Sequence, residues 1–126
     1  MDSCFENARY FNHNIQSWNV SKVKSMESMF YGCKNFNQPL DKWDVSKVTN
    51  MEYMFQFCEK FNGDLSKWDV SNVAYMTIMF KGCKNFNGGD LSKWDVSKVT
   101  DMISMFEGCE KFNGDLSKWG IKDTSR

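Results

Sequence analysis

Apolar and polar positions in this chain change period twice within every stretch of about 25 residues. From Lys67 to Ser71, Trp68 and Val70 fall on one side while Lys67, Asp69 and Ser71 fall on the other, the alternation of a strand. From Val73 onward the apolar positions become Met76, Met79, Phe80 and Cys83. At about 100° per residue these share a stripe of roughly 120°, which predicts the apolar face of a short helix. Ser71 stands before it as an N-cap, as do Ser21, Ser46 and Ser97 in their own copies. Phe86-Asn87 and a glycine-rich turn then lead into the next strand.

The same stretch is said again along the whole chain. Trp18, Trp43, Trp68, Trp94 and Trp119 are separated by 25, 25, 26 and 25 residues. A fixed period in this range marks stacked repeats, each burying its apolar face against the next. Residue types sort into columns accordingly. All nine methionines lie in two of them, Met1/Met26/Met51/Met76/Met102 and Met29/Met54/Met79/Met105, with Cys4 heading the second. Ten of the eleven phenylalanines form two more, and Phe57 alone is out of register. The one insertion is Gly88-Gly89, a turn that tolerates a bulge.

These periods predict one domain over 1–126, with degenerate copies at about 1–20 and 110–126. The expected fold is an α/β solenoid: a leucine-rich-repeat-like, right-handed stack of about five 25-residue coils, each a short strand plus a short helix or helical turn. Both end copies depart from the consensus, as true terminal repeats do.

The phrase Leu65-x-x-Trp68-x-Val70 has the spacing of a leucine-rich repeat with its bulk moved into Trp, Met and Phe. The longer string Trp43-Asp44-Val45-Ser46, Val48, Met51, Met54-Phe55, Cys58 and Phe61-Asn62 recurs from Trp68 and from Trp94. In these residues the chain resembles the BspA-type leucine-rich-repeat-like surface proteins, whose repeats read W-D-V-S-x-V-x-x-M-x-x-M-F-x-x-C-x-x-F-N. The resemblance implies an extracellular or cell-envelope repeat protein of adhesion type, binding a protein or a host or cell-surface ligand. The opening Met1-Asp2-Ser3-Cys4 has neither the basic nor the apolar region of a secretory signal.

Charge narrows the classes further. Sixteen acidic residues balance sixteen basic ones, which argues against a nucleic-acid binder held by net field. No run approaches the roughly 18 apolar residues of a membrane span. Catalysis requires a locally unique constellation, and nearly every reactive residue here is repeated, so no enzyme and no cofactor are expected. His13 stands alone, as a turn or surface residue.

Two columns invite metal chemistry. Cys33, Cys58, Cys83 and Cys109 form a line, which cannot surround an ion tetrahedrally, so they read as reduced core filler. Asp44, Asp69 and Asp95 would repel one another at the roughly 5 Å spacing of a stack. One answer is a bound Ca²⁺, with Asp64, Asp90 and Asp115 nearby. The favoured answer is neutralisation by Lys42, Lys67 and Lys93, with backbone donors accepted as in Asx turns.

Specificity is expected where the copies differ. Tyr53, Phe57, Tyr75, Ile78 and Ile103 replace polar residues or glycine on the outer side, giving a candidate apolar partner surface. The function expected is a non-catalytic protein-binding or adhesion module. Two alternatives stand beside it: a subunit of an envelope or particle shell stacking through its open ends, and a Ca²⁺- or glycan-binding lectin-like module.

Overall fold

Alternate backbone N–H groups in each copy point at the copy that follows. Met26, Ser28, Phe30 and Gly32 donate to the carbonyls of Asn50, Glu52, Met54 and Gln56, each at 2.9 Å. Met51, Tyr53, Phe55 and Phe57 repeat this toward Tyr75, Thr77, Met79 and Lys81, and Met76, Ile78, Phe80 and Gly82 toward Asp101, Ile103, Met105 and Glu107. In the first copy Ser3, Phe5 and Asn7 do the same, and the Met1 amine donates to the Ser25 carbonyl. Successive copies therefore lie on one another as coils, each bonded to its neighbour. These contacts come from a computed structural model that describes residues 1–120; residues 121–126, the tail of the predicted degenerate last copy, lie outside the described residues.

The coils are built from turns, and this overturns the predicted α/β solenoid with its leucine-rich-repeat-like strand and helix. Among the described residues the regular elements are two three-residue 3-10 helices, Leu91–Lys93 and Ser117–Trp119. Among the described residues no strand forms; Ser25, Asn50, Tyr75 and Asp101 are linked by isolated parallel bridges, one rung wide.

The reason lies in where the N–H groups go. An α-helix would spend every N–H on the carbonyl four residues back. Here Met54 donates to Met51 and Cys58 to Phe55, closing two consecutive four-residue turns, while Tyr53, Phe55 and Phe57 reach across to the next coil. Inward positions spaced three and four apart satisfy a pair of such turns as well as they satisfy a helix. The third residue of each turn has positive φ, +60° at Tyr53 and +64° at Phe57, which excludes α-helical geometry.

The strand prediction fails for a similar reason. Trp68 N–H closes a turn on Leu65 and Val73 N–H another on Val70, so too little extended chain remains for a ladder. The alternation itself survives: Leu65, Trp68 and Val70 are buried, while Lys67 and Asp69 are exposed. Ser71 is not a helix N-cap; its N–H and hydroxyl both donate to Asp69 Oδ1, so the aspartate does the capping.

The core is a set of columns. Phe30, Phe55 and Phe80 stack at centroid distances of 5.4 and 5.5 Å, and each lies 4.2–4.5 Å from its own copy's Phe36, Phe61 or Phe86. Buried indoles are anchored one coil back: Trp43, Trp68, Trp94 and Trp119 Nε1 donate to the carbonyls of Ile15, Leu40, Leu65 and Leu91 at 2.8–3.1 Å. That bond removes the penalty of burying an indole N–H without a partner. Trp18, the tryptophan of the first coil, is 40% exposed.

An asparagine ladder runs alongside. Asn37, Asn62 and Asn87 N–H donate to Oδ1 of Asn12, Asn37 and Asn62 at 2.9–3.0 Å. At the Gly88-Gly89 insertion the ladder is diverted, and Asn87 Oδ1 accepts from Gly89 N–H instead. Both glycines have positive φ, which lets the extra residue loop out without disturbing the coils on either side.

Candidate interaction surface

Left-handed backbone recurs at the third residues of the two consecutive turns. In the first turn these are Ser3, Ser28, Tyr53, Ile78 and Ser104, with φ between +55° and +60°. In the second they are Asn7, Gly32, Phe57, Gly82 and Gly108, with φ between +60° and +77°. Glycine and asparagine fill the second column because left-handed backbone costs them little. Tyr53, Phe57 and Ile78 are the bulky exceptions, and Ile78 is β-branched as well.

Four of the five predicted surface residues come together on adjacent rungs. Tyr53 N–H donates to the Thr77 carbonyl at 3.1 Å, and Ile78 N–H to the Ile103 carbonyl at 3.0 Å. The Tyr75 carbonyl receives Met51 N–H at 2.9 Å. Tyr75 is 48% and Ile103 38% exposed, whereas Tyr53 and Ile78 are half-buried. Phe57 belongs one turn further on. Its ring meets Tyr31 edge-on at 5.9 Å and lies over Gly82, where an added Cβ would sit 2.6 Å from the ring.

Phe57 and Tyr31 line a shallow groove with Asn7, Arg9, Gly32, Lys34 and Glu59. Reading the sequence missed Tyr31 and Arg9 here, although the glycines at 32, 82 and 108 marked the column as a turn position. Glu59 pairs with Lys84 at 3.4 Å, in line with the alternating column Lys34, Glu59, Lys84 and Glu110.

Relief of backbone strain gives a direct check. Replacing Ile78 by glycine is expected to raise stability by about 1 kcal/mol, since the left-handed conformation costs a β-branched residue more than the half-buried side chain returns. Urea unfolding of Ile78→Gly would show it; a large loss would mean that the side chain is held by packing.

The aspartates Asp44, Asp69 and Asp95 form a column, each tied to its own turn. Oδ1 of each accepts the N–H of Ser46, Ser71 or Ser97 at 3.0 Å. These serine hydrogen bonds hold the Asp69 carboxyl below its usual 3.8, against the opposing push of Asp44 and Asp95. The predicted partners Lys42, Lys67 and Lys93 form no ion pair with them; among the described residues the ion pairs are Lys81–Glu107 at 3.6 Å and Lys84–Glu59. Nor, among those residues, do three His, Cys, Asp or Glu side chains gather as a cation would require.

The cysteine column faces inward. Sγ of Cys33, Cys58, Cys83 and Cys109 donates to the carbonyls of Phe5, Phe30, Phe55 and Phe80 at 2.9–3.1 Å. All five cysteines are free thiols, and Cys4, outside that column, is exposed. His13 is exposed beside Phe11. No helix among the described residues is long and apolar enough to cross a membrane.

A family model described as "Mycoplasma protein of unknown function, DUF285" matches residues 1–88 and 39–126. No curated protein and no solved structure matches the chain.

Proposed function

The chain belongs to the DUF285 family, the family of BspA-like repeat proteins, and from that premise we propose a non-catalytic, protein-binding module of adhesion type, displayed at the cell surface. One observation carries the reading. Tyr53, Phe57 and Ile78 occupy left-handed positions where sibling copies have Ser, Gly or Asn. Bulky apolar groups retained at a backbone cost, two of them (Tyr53 and Ile78) on rungs shared with Tyr75 and Ile103, are the kind of feature that serves a partner rather than the fold. Recurrence supports the non-catalytic half: the Cys, Asp and Asn columns repeat coil after coil with the same structural partner.

The test is to give these positions their sibling residues. Tyr53→Ser with Ile78→Ser copies Ser28 and Ser104 and is expected to leave folding intact. Immobilised wild-type chain should retain a protein from a host-cell surface extract that the double variant loses. Equal retention by both, or by neither, would remove this surface from the function.

A further inference from the structure

We propose that the groove between Tyr31 and Phe57 binds an anionic sugar, one that carries a carboxylate or a sulfate. The groove shares only Phe57 with the protein-binding surface above. Its shape comes from the second column of left-handed residues, in which a side chain on one coil lies over the glycine of the next. Asn7 lies over Gly32, where an added Cβ would sit 2.5 Å from Oδ1, and Phe57 lies over Gly82, at 2.6 Å from the ring. Gly32 has no side chain to lie over the coil of Phe57, so a hollow of about 460 Å³ opens between Asn7 and Phe57. That is room for a small ligand. Phe57 is 39% exposed and is braced edge-on by half-buried Tyr31 at 5.9 Å, so the aromatic wall stands ready-formed.

Charge names the occupant's sign. Arg9 and Lys34 line the same hollow from neighbouring coils, which are joined where Asn35 N–H donates to the Arg9 carbonyl at 3.2 Å. From Lys34 onward their column alternates through Glu59, Lys84 and Glu110; between Arg9 and Lys34 alone it sets like charges side by side. Glu59, the acid at the edge of the hollow, is drawn the other way, to Lys84 at 3.4 Å. Glu6 pairs with neither cation, and neither has an ion-pair partner among the described residues. An anion seated between two such cations relieves their repulsion and takes hydrogen bonds from both.

The backbone favours a sugar over a peptide. An extended peptide pairs with unengaged N–H and C=O groups. Around the hollow, the N–H groups of Asn7, Gly32 and Phe57 donate to Tyr31, Gln56 and Lys81 at 2.6–2.9 Å. The carbonyls of Asn7, Arg9, Gly32 and Lys34 receive Arg9, Asn35, Lys34 and Lys60. Recognition is therefore left to side chains. A sugar sets its C–H face against an aromatic ring, offers hydroxyls to the Asn7 amide and turns its anion toward Arg9 and Lys34.

NMR titration of the 126-residue chain with methyl glucuronide and with a glucose sulfate ester tests this, with methyl glucoside as the neutral sugar and acetate as the bare anion. At least one anionic sugar should bind with a dissociation constant of about 1 mM and move the amide signals of Tyr31, Gly32, Lys34 and Phe57. The tighter of the two identifies the anion. Arg9→Glu extends the alternation of the column, so the fold should hold while affinity falls about tenfold. Phe57→Gly, which copies Gly32 and Gly82, should weaken binding by a similar factor. If that variant fails to fold, Lys34→Gln decides the point at an exposed position, again with weaker binding expected. Neither anionic sugar binding up to about 20 mM overturns the inference. So does equal binding of methyl glucoside or acetate, tighter binding of a short peptide of aspartate and phenylalanine, or unchanged affinity in Arg9→Glu. All these variants keep Tyr53 and Ile78, so a failure here is distinguishable from a failure of the protein-binding surface.

Discussion

Phe80→Ala is expected to lower the unfolding free energy by about 3–5 kcal/mol, the largest loss from any single core truncation in the stack. The ring is fully buried and lies within 5.7 Å of Phe55, Phe86 and Phe106, so its removal opens contacts to both neighbouring coils at once. The backbone around it cannot collapse into the space. Phe80 N–H is fixed to Met105, and its carbonyl receives both Cys83 N–H and Cys109 Sγ. Phe112→Ala removes the same kind of ring from a half-buried place in the last coil, and roughly half the loss is expected. Urea denaturation of both variants measures the gradient. Equal losses would mean that stability is not shared between neighbouring coils, contrary to a stack in which each repeat leans on the next.

The gradient follows from the residue columns, and those columns are legible in the sequence itself. A core of Leu65, Trp68, Val70, Met76, Met79, Phe80 and Cys83 needs only the repeat and the burial preferences of its residue types. The local geometry was not readable in the same way. Met76, Met79, Phe80 and Cys83 have helical spacing, and in an isolated segment a helix would satisfy their N–H groups. Neighbouring coils offer those groups other acceptors, and turns of four residues keep the same positions inward. Gly32, Gly82 and Gly108 were the visible objection, since glycine recurring inside a supposed helix signals a left-handed residue. Lys42, Lys67 and Lys93 do not take the neutralising role given to them: the carboxylates accept from Ser46, Ser71 and Ser97 on the turn itself, and Lys67 and Lys93 favour the charged forms of Asp64 and Asp90. Tyr53, Tyr75, Ile78 and Ile103 stand out in the sequence because they vary, whereas Tyr31 does not, because its contact is with Phe57 one coil away.

The second large effect is a loss of stability in alkali. Burial pushes the Cys33 and Cys109 thiols from 9.0 up to about 11, and pushes Cys58 and Cys83 well above 9.0. Each thiol also donates to a carbonyl, and a thiolate would turn that attraction into repulsion. Above pH 9 the unfolded chain releases these protons while the folded chain keeps them. The folded state then binds more protons, so stability present below pH 9 is lost as pH rises through the folded values. Each retained proton contributes a slope of at most about 1.4 kcal/mol per pH unit. On the acid side the sign reverses. Serine hydrogen bonds hold Asp44, Asp64, Asp69, Asp90, Asp95 and Asp115 below 3.8, so their contribution is present above that value and is lost as pH falls through the folded values. These carboxylates are exposed and screened by solvent, so the acid limb should be the shallower. Urea unfolding under reductant at pH 7, 9 and 10 measures the alkaline limb. Cys33→Ala, which copies Ala8 of the first coil, should flatten it by one thiol's share. Stability that stays level to pH 10 would place these thiols in contact with water and undo the inward-facing column.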